Sequence, residues 1–322
     1  MERRQAVIRF MSTKYDSNDL KGREYLELFY HCARMTIFNI LNYKNEILEN
    51  ETSNYLNSVS KDDGGFCSHP LYPSSTFETF LACKIQTDLN HDFYNEKTVD
   101  FIMSCYSNGI FYDEPIKDEY IELNNRFNAS ALMSLVLLDC NRRKTLDFEL
   151  SDEILKIITE KGFDLRKTVD YLKSSLNGDG GFGPFPGAES HAAMSYCCLI
   201  SLNILNALDE IDLNLVSKFL ISLQNEDGGF ASRHNKTADG CYGFWCVASL
   251  DIIGKMHLLN KKALTTFLDN CFSKDGYSHN INSPPDTFHT LYVILGLEIL
   301  KNNQRYQKGL HFGLFKKYEF KN

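Results

Sequence analysis

Apolar residues recur at helical spacing along most of the chain, and short glycine-rich polar turns interrupt them. The segment from 218 to 224 is apolar at helical spacing and is followed by Asn-Glu-Asp-Gly-Gly. The runs 192 to 207, 241 to 254 and 288 to 300 are apolar almost all round, which is typical of buried helices. Patterns typical of strands are sparse. The chain is therefore predicted to be all-α, with amphipathic helices alternating with fully buried ones.

The chain also repeats itself. Five segments combine an apolar stretch, a polar turn, a glycine and an aromatic residue, and they begin at Tyr55, Phe101, Tyr171, Phe219 and Phe267. The last three starts are 48 residues apart (219 − 171 and 267 − 219), and the first two are 46 apart (101 − 55). A period of this length indicates stacked helical hairpins. The longer step of 70 residues (171 − 101) indicates an insert near residues 147–167.

The two kinds of helix suggest how the hairpins are arranged. A closed ring with the apolar helices inside buries the apolar faces of both kinds, whereas an open superhelix would leave one inner face in water. We therefore predict an α/α barrel (toroid) of helical hairpin repeats, which forms a single domain over residues 1–322. In each hairpin we expect the glycine of the turn to end the preceding helix in a left-handed conformation.

Composition narrows the class of protein. The chain has 322 residues, of which 43% are hydrophobic and 24% charged, as in soluble globular proteins with a large core. A net charge of −8 argues against a nucleic-acid partner. No apolar run approaches the roughly 18 residues of a membrane span, and the first residues do not resemble an export signal. The ten cysteines are thus expected to be mostly buried free thiols of a cytoplasmic protein.

The hairpin register predicts which polar residues meet. Counted from the aspartates of three successive turns, the positions twelve and fourteen residues on hold His191 and Ala193, Asp239 and Cys241, and Thr287 and His289. We therefore expect His191, Asp239, Cys241 and His289 at one rim of the barrel. Carboxylate, thiolate and imidazole together suit Zn²⁺, and three protein ligands leave the open position of a catalytic site. The alternative is a helix-capping Asp beside a core Cys and a core His.

Basic and aromatic residues accompany this cluster. Arg233 and Lys236 precede Asp239, and with His191 they are suited to bind a diphosphate, although two basic loop residues are often simply solvated. Nine aromatic residues on the proposed inner helices either line an apolar pocket for a long hydrocarbon or pack the core: Phe29, Tyr30, Phe77, Phe80, Tyr196, Phe244, Trp245, Phe288 and Tyr292.

Three segments resemble the signature motifs of protein prenyltransferase β-subunits. They are Gly-Ala-Glu-Ser-His-Ala-Ala (187–193), Asp-Gly-Cys-Tyr-Gly-Phe-Trp (239–245) and Asp-Thr-Phe-His-Thr-Leu (286–291). The resemblance runs from about residue 20 to residue 302 and is strongest after residue 165. It implies an α/α barrel, in agreement with the repeat pattern, and one Zn²⁺ held by Asp239, Cys241 and His289. It also implies that the isoprenoid diphosphate is bound by His191, Arg233, Lys236 and Tyr242, and that Arg126 lies in the central cavity.

The resemblance further implies an activity and partners. In this family an α-subunit forms a heterodimer with the β-subunit, and a zinc-bound thiolate attacks the prenyl diphosphate. The segments 241–254 and 284–292 are most similar to the Rab geranylgeranyltransferase (type II) enzymes. That similarity implies transfer of a geranylgeranyl group to C-terminal cysteines of Rab GTPases, which an escort protein presents.

Two residues leave questions open within the family. Phe29 stands where geranylgeranyl enzymes usually carry a small residue and farnesyl enzymes an aromatic one, so the lipid length is undecided. His279 stands where an acidic residue often supports Mg²⁺, so a requirement for Mg²⁺ is undecided. A CaaX prenyltransferase β-subunit (geranylgeranyltransferase type I or farnesyltransferase) and a non-enzymatic helical-repeat scaffold remain as alternatives. A terpene-type cyclase would need an Asp-rich acid motif, which we do not find in the sequence.

Overall fold

The helices predicted from the apolar pattern are present in a computed structural model that describes residues 2–13, 24–115, 122–301 and 307–314. They are α1 (Glu2–Ser12), α2 (Glu27–Ile40), α3 (Glu46–Val59), α4 (Thr76–Leu89), α5 (Glu96–Ser104), α6 (Asn125–Arg143), α7 (Asp152–Glu160), α8 (Leu165–Ser174), α9 (Ala192–Ile204), α10 (Leu213–Ser222), α11 (Tyr242–Ile252), α12 (Lys261–Asn270), α13 (Thr287–Leu300) and α14 (Gln307–His311). Two antiparallel pairs of very short strands are also present: β1 (Tyr106–Ser107) with β2 (Ile110–Phe111), and β3 (Phe272–Ser273) with β4 (Gly276–Tyr277). The prediction of sparse strands is confirmed for the described residues.

These residues divide into two compact units. One contains the residues up to Met11 and those from Val169 to Gly313, and the other contains those from Ser12 to Thr168 together with Leu314. In the first unit α11 packs between α9 and α13, and in the second α4 packs between α2 and α6. These helices are buried over most of their length, as the apolar pattern predicts. The assignment of residues 1–322 to a single domain stays a prediction.

The glycines of the hairpin turns have a different role from the predicted one. Helix α10 ends at Ser222, well before Gly228, whose φ is +90°. A β-bridge joins Gln224 to Phe230 across the turn, so Gly228 shapes the turn instead of ending the helix. A Cβ atom at this position would lie 2.5 Å from the backbone oxygen of Ala263. Glycine is therefore required here by both the left-handed backbone and the close approach of the next helix.

Residues 147–167, the predicted insert, contain the additional helix α7. A buried ionic cluster connects the start of this helix to α6. The carboxylate of Asp139, which is fully buried, accepts hydrogen bonds from Arg142, Arg143 and the Ser151 hydroxyl. These hydrogen bonds offset the free-energy cost of removing the Asp139 carboxylate from water.

Helix α1 packs against the last hairpin of its own unit. Its guanidinium groups pair with two acids there, Arg3 with Asp269 and Arg9 with Asp275. The Arg3 guanidinium also lies 5.0 Å from the centre of the Phe272 ring. On the same helix, four apolar side chains are buried: Ala6, Val7, Ile8 and Met11.

All ten cysteines are buried and free, which confirms the expectation from their apolar surroundings. Within the ranges that the structure describes, no helix combines the length and apolar character that crossing a membrane requires.

Candidate metal centre and active site

Three predicted ligands converge in one compact unit. The carboxylate of Asp239, the thiol of Cys241 and the imidazole of His289 offer ligand atoms that all lie within 4.8 Å of one another. Asp239 and Cys241 stand at the start of α11, and His289 lies in the first turn of α13, the neighbouring helix. Oxygen, sulfur and nitrogen donors at this spacing fit a tetrahedral Zn²⁺ site with one open position.

The backbone at the start of α11 holds the first two candidate ligands, Asp239 and Cys241, in place. Oδ1 of Asp239 accepts the backbone N–H of Cys241 at 3.0 Å. Between them, the N–H of Gly240 donates to the carbonyl oxygen of His279 at 2.8 Å. A Cβ atom at Gly240 would lie 2.8 Å from Cγ2 of Val293. This glycine is therefore needed for the space that its missing side chain leaves, and its φ is not in the left-handed region.

His289 is oriented by a residue that sequence reasoning missed. Asp286 caps α13, and its Oδ1 accepts the backbone N–H of His289 at 2.8 Å. Its Oδ2 lies 2.6 Å from Nδ1 of the same imidazole. The other ring nitrogen, Nε2, is thereby directed at Asp239, 3.2 Å from Oδ1. A carboxylate on the far nitrogen is the usual outer partner of a metal-binding histidine.

The electrostatics of the cluster favour positive charge between its acids. Burial raises the pKa of the Cys241 thiol, and the Asp239 carboxylate raises it further. Burial alone would raise the pKa of Asp239, but hydrogen bonds from His289 and from the Cys241 N–H lower it. Burial would lower the pKa of His289, yet Asp239 and Asp286 outweigh burial and raise it to about 9. Two carboxylates around one imidazole form an environment in which a dication is favoured.

The structure corrects the hairpin register of His289. In both hairpins the turn aromatic accepts a backbone N–H from a residue just before the inner helix, from Asp239 in one and from Asp286 in the other (3.0 and 3.1 Å). Asp286, and not Thr287, is therefore the counterpart of Asp239. His289 stands one position beyond the counterpart of Cys241. The last turn reads Asp-Gly-Tyr where the others read Asp-Gly-Gly-Phe, so it is one residue shorter.

Two of the residues predicted to bind diphosphate lie together. His191 caps α9, and its Nδ1 accepts the N–H of Ala193 at 3.2 Å. Its Nε2 lies 3.4 Å from the hydroxyl of Tyr242, which is the first residue of α11 and follows Cys241 directly. Burial raises the pKa of Tyr242 to about 12, so this hydroxyl stays protonated near neutral pH and remains a donor.

The predicted cations lie in different surroundings. Nε of Arg233 lies 3.2 Å from Oε2 of Glu189, a contact that the sequence did not reveal. Lys236 is exposed, and its carbonyl oxygen accepts a hydrogen bond from Asn225. Arg126 is an exposed residue in the first turn of α6, in the other compact unit, so its place in a central cavity stays a prediction.

Five of the predicted aromatic residues form one continuous cluster that starts at His289. The ring of Phe288 lies 5.2 Å from that of His289 and 4.7 Å from that of Tyr292. The rings of Tyr292 and Trp245 are 4.5 Å apart, and Trp245 is 4.9 Å from Tyr196. Phe244 packs against Tyr196, Trp245 and Tyr292. The remaining four, Phe29, Tyr30, Phe77 and Phe80, belong to the other unit.

His279 also lies close to the candidate centre. Its ring centre is 5.6 Å from that of His289, and its Nε2 lies 3.2 Å from the hydroxyl oxygen of Ser283. An imidazole thus stands beside the cluster at the position for which the family resemblance suggested an acid.

Replacing Asp286 by asparagine is expected to weaken metal binding without unfolding α13. Asparagine caps helices as well as aspartate does, but it lacks the charge that holds Nδ1 of His289. Loss of such an outer partner costs roughly 10- to 100-fold in metal affinity. Competition with a chromogenic zinc chelator measures this affinity. The matched control is Asp275→Asn, which removes an exposed acid paired with Arg9; equal zinc affinity in the two variants would refute the role of Asp286.

Comparison with known proteins agrees with the geometry. Residues 5–314 match the prenyltransferase alpha-alpha toroid domain. The chain is 28% identical over 211 residues to the geranylgeranyl transferase type-2 subunit beta of Saccharomyces cerevisiae, which covers 65% of this chain and 59% of the yeast protein. A subunit of the same name from Candida albicans is 35% identical over 95 residues, or 30% of this chain and 22% of that protein. The chain thus spans less than two thirds of the length of either relative.

Solved structures show the same fold. Candida albicans protein geranylgeranyltransferase-I, complexed with GGPP, superposes with a TM-score of 0.77 over 99% of both chains, at 18% identity. The ent-copalyl diphosphate synthase from Streptomyces platensis superposes with a TM-score of 0.52 over 88% of this chain and 50% of its own, at 16% identity. The predicted all-α fold of the α/α-barrel class is therefore confirmed.

Proposed function

Because this chain belongs to the prenyltransferase alpha-alpha toroid family, we propose that it is the catalytic β-subunit of a protein geranylgeranyltransferase of type II. The observation that carries the proposal is the convergence of Asp239, Cys241 and His289 in one cluster. The similarity to two fungal type-2 β-subunits supports the subtype. The substrates would be geranylgeranyl diphosphate and the C-terminal cysteines of Rab GTPases, with an escort protein and an α-subunit as partners.

Asp239, Cys241 and His289 would hold one Zn²⁺, and their donor set fits that ion. Zinc, when bound, lowers the pKa of a thiol that coordinates it and so supplies a thiolate nucleophile near neutral pH. Asp286 fixes the imidazole so that Nε2 faces the ligand cluster. The three residues that would bind zinc are hydrogen-bonded or buried in the absence of substrate, so the site is already formed before a substrate binds.

The donor diphosphate would lie beside this cluster, among His191, Tyr242, Arg233 and Lys236. Tyr242 follows Cys241 in the chain, and its hydroxyl lies near His191. The residues that would bind the diphosphate therefore lie beside those that would bind zinc. Cationic and hydroxyl donors there would stabilise the negative charge that develops on the leaving diphosphate. The bond between C1 of the prenyl group and the diphosphate oxygen breaks while a carbon–sulfur bond forms.

The aromatic cluster would bind the hydrocarbon part of the donor. Phe288 is 39% exposed and the next ring, Tyr292, is half-buried, so an apolar surface begins at His289. From there the rings continue to the buried Tyr196. Apolar burial of a prenyl chain along such a surface is favourable at about 0.8 kcal/mol for each CH₂ group. Phe29 is buried in the other unit, and an aromatic residue at this position is typical of farnesyl enzymes. The experiment below therefore also offers a farnesyl donor.

The test is a transfer assay with a panel of donors and acceptors. The chain would be purified with its α-subunit, and farnesyl and geranylgeranyl diphosphates would be offered with two acceptors, a Rab protein with its escort and a CaaX peptide. We expect transfer of geranylgeranyl to the Rab protein only when the escort is present, with one zinc per heterodimer by elemental analysis. Efficient modification of the CaaX peptide without escort would show a CaaX enzyme. A heterodimer without stoichiometric zinc would refute the catalytic proposal, and a magnesium titration measures Mg²⁺ dependence.

A further inference from the structure

Glu189 is an acidic residue next to the residues proposed to bind the diphosphate. Its Oε2 lies 3.2 Å from Nε of Arg233, and its side chain is 73% exposed while that of Arg233 is 35% exposed. Within the part of the chain that the structure describes, neither side chain forms another ion pair. An acid beside an anion site calls for an explanation, since like charges repel.

The loops that carry the two residues are fixed relative to each other. The N–H of Ala192 donates to the carbonyl oxygen of Ser232 at 2.8 Å, one residue before Arg233. On the other side, Nδ2 of Asn177 donates to the carbonyl oxygen of Ala188 at 2.8 Å and to the Ser190 hydroxyl at 2.9 Å. Glu189 lies between these two anchored residues. The carboxylate is therefore presented to Arg233 from a backbone with little freedom.

The pairing uses one side of the guanidinium. A guanidinium group has five N–H donors, one on Nε and four on the two Nη atoms. The shortest contact of Glu189 is with Nε. The two Nη atoms form a planar fork that matches two phosphate oxygens. Within the described residues the Nη atoms of Arg233 make no hydrogen bond, so this fork is available to an anion.

We propose that Glu189 is a positioning residue for the prenyl diphosphate, which acts by holding Arg233 through Nε so that its Nη fork is directed at the diphosphate. The proposal rests on the proposed function, because the anion is the diphosphate of the prenyl donor. Positioning and simple charge predict opposite results. If Glu189 acted only through its charge, its removal would strengthen diphosphate binding. If it positions Arg233, its removal weakens diphosphate binding.

The experiment measures the dissociation constant of geranylgeranyl diphosphate for the purified heterodimer by isothermal titration calorimetry. Exposed ion pairs contribute up to about 1 kcal/mol, so we expect Glu189→Ala to weaken binding about 3- to 5-fold. Glu189→Gln keeps the size of the side chain but removes the charge of the ion pair, so it should weaken binding about as much as Glu189→Ala. In an Arg233→Ala background, Glu189→Ala should cause no further weakening.

Controls separate positioning from damage to the fold. Glu226→Ala removes an exposed acid from a turn of the same unit and should leave the dissociation constant unchanged. Inorganic diphosphate should bind less tightly to Glu189→Ala, whereas the affinity for geranylgeraniol, which lacks phosphate, should be unchanged. Tighter or equal donor binding in Glu189→Ala, or an equal loss in the Arg233→Ala background, would overturn the proposal. Failure of the unaltered heterodimer to bind the donor would instead refute the proposed function.

Discussion

Replacing Cys241 by alanine is expected to abolish both zinc binding and prenyl transfer. The substitution removes the sulfur donor from a cluster of three and leaves only Asp239 Oδ1 and His289 Nε2, which lie 3.2 Å apart. The loss of zinc affinity should exceed the roughly 10- to 100-fold cost of losing an outer partner such as Asp286. Elemental analysis of the purified heterodimer and the transfer assay measure the two effects.

A second cysteine on the same helix provides the matched control. Cys246 is fully buried in α11 but does not belong to the ligand cluster, so Cys246→Ala should retain stoichiometric zinc. It should lose only the modest stability that goes with removing one buried sulfur atom. Stoichiometric zinc in Cys241→Ala, with the fold intact, would contradict the assignment of this thiol as a ligand.

Replacing Gly180 by alanine is expected to destabilise the fold by about 3 kcal/mol. The backbone of Gly180 has a φ of +91°, which costs an alanine energy before any contact is considered. The added Cβ would also lie 2.3 Å from the carbonyl oxygen of Leu215, a backbone atom that cannot move aside cheaply. Unfolding in urea, followed by circular dichroism, measures the change in the free energy of unfolding.

The same turn contains the control. Gly178 stands two residues earlier, and a Cβ built on it meets no atom within 4 Å. Gly178→Ala should therefore change the free energy of unfolding by less than about 0.5 kcal/mol, as exposed substitutions usually do. If Gly180→Ala destabilised the fold as little as Gly178→Ala does, the turn would tolerate a left-handed alanine, and the space beside α10 would not be limiting.

The candidate ligand cluster could be predicted because residue types alone indicate which side chains suit a metal ion. An acid, a thiol and an imidazole near the starts of neighbouring inner helices are residue types that suit Zn²⁺. The count that placed His289 level with Cys241 was wrong by one, because the last turn has one glycine fewer. His289 was still predicted near the other candidate ligands, because all positions in the first turn of a helix lie near the helix end.

Asp286 and Glu189 could not be assigned roles from the sequence for a physical reason. Periodicity gives the face of a helix on which a residue lies, but not the direction of a side chain that precedes the helix. Asp286 acts because its two oxygens reach the backbone and the ring of one histidine at once. Glu189 contacts Arg233 across two loops that the hydrogen bond from Ala192 to Ser232 joins. Both contacts depend on loop conformation, which the apolar pattern does not encode.

The all-α class followed from the apolar runs, whereas the role of the glycines was misjudged. The sequence Asn-Glu-Asp-Gly-Gly after an apolar stretch suits a helix C-terminus, so a left-handed helix end was expected. The bridge between Gln224 and Phe230 instead pairs the two sides of the turn. That pairing depends on an aromatic side chain entering the core, as Phe230 does, and this is a tertiary effect.

The packing of α1 has a consequence for the order of events during protein synthesis. Arg3 and Arg9 each pair with an acid 266 residues later in the chain, so the helix is synthesised well before these partners. At roughly 5 to 20 residues per second, the helix waits about 15 to 50 seconds for its binding surface. Val7, Ile8 and Met11 are buried on this same helix, whose two ion pairs form only after the last hairpin is made. Chaperone capture of the nascent chain is favoured in this interval, because the ion pairs of Arg3 with Asp269 and of Arg9 with Asp275 cannot yet form.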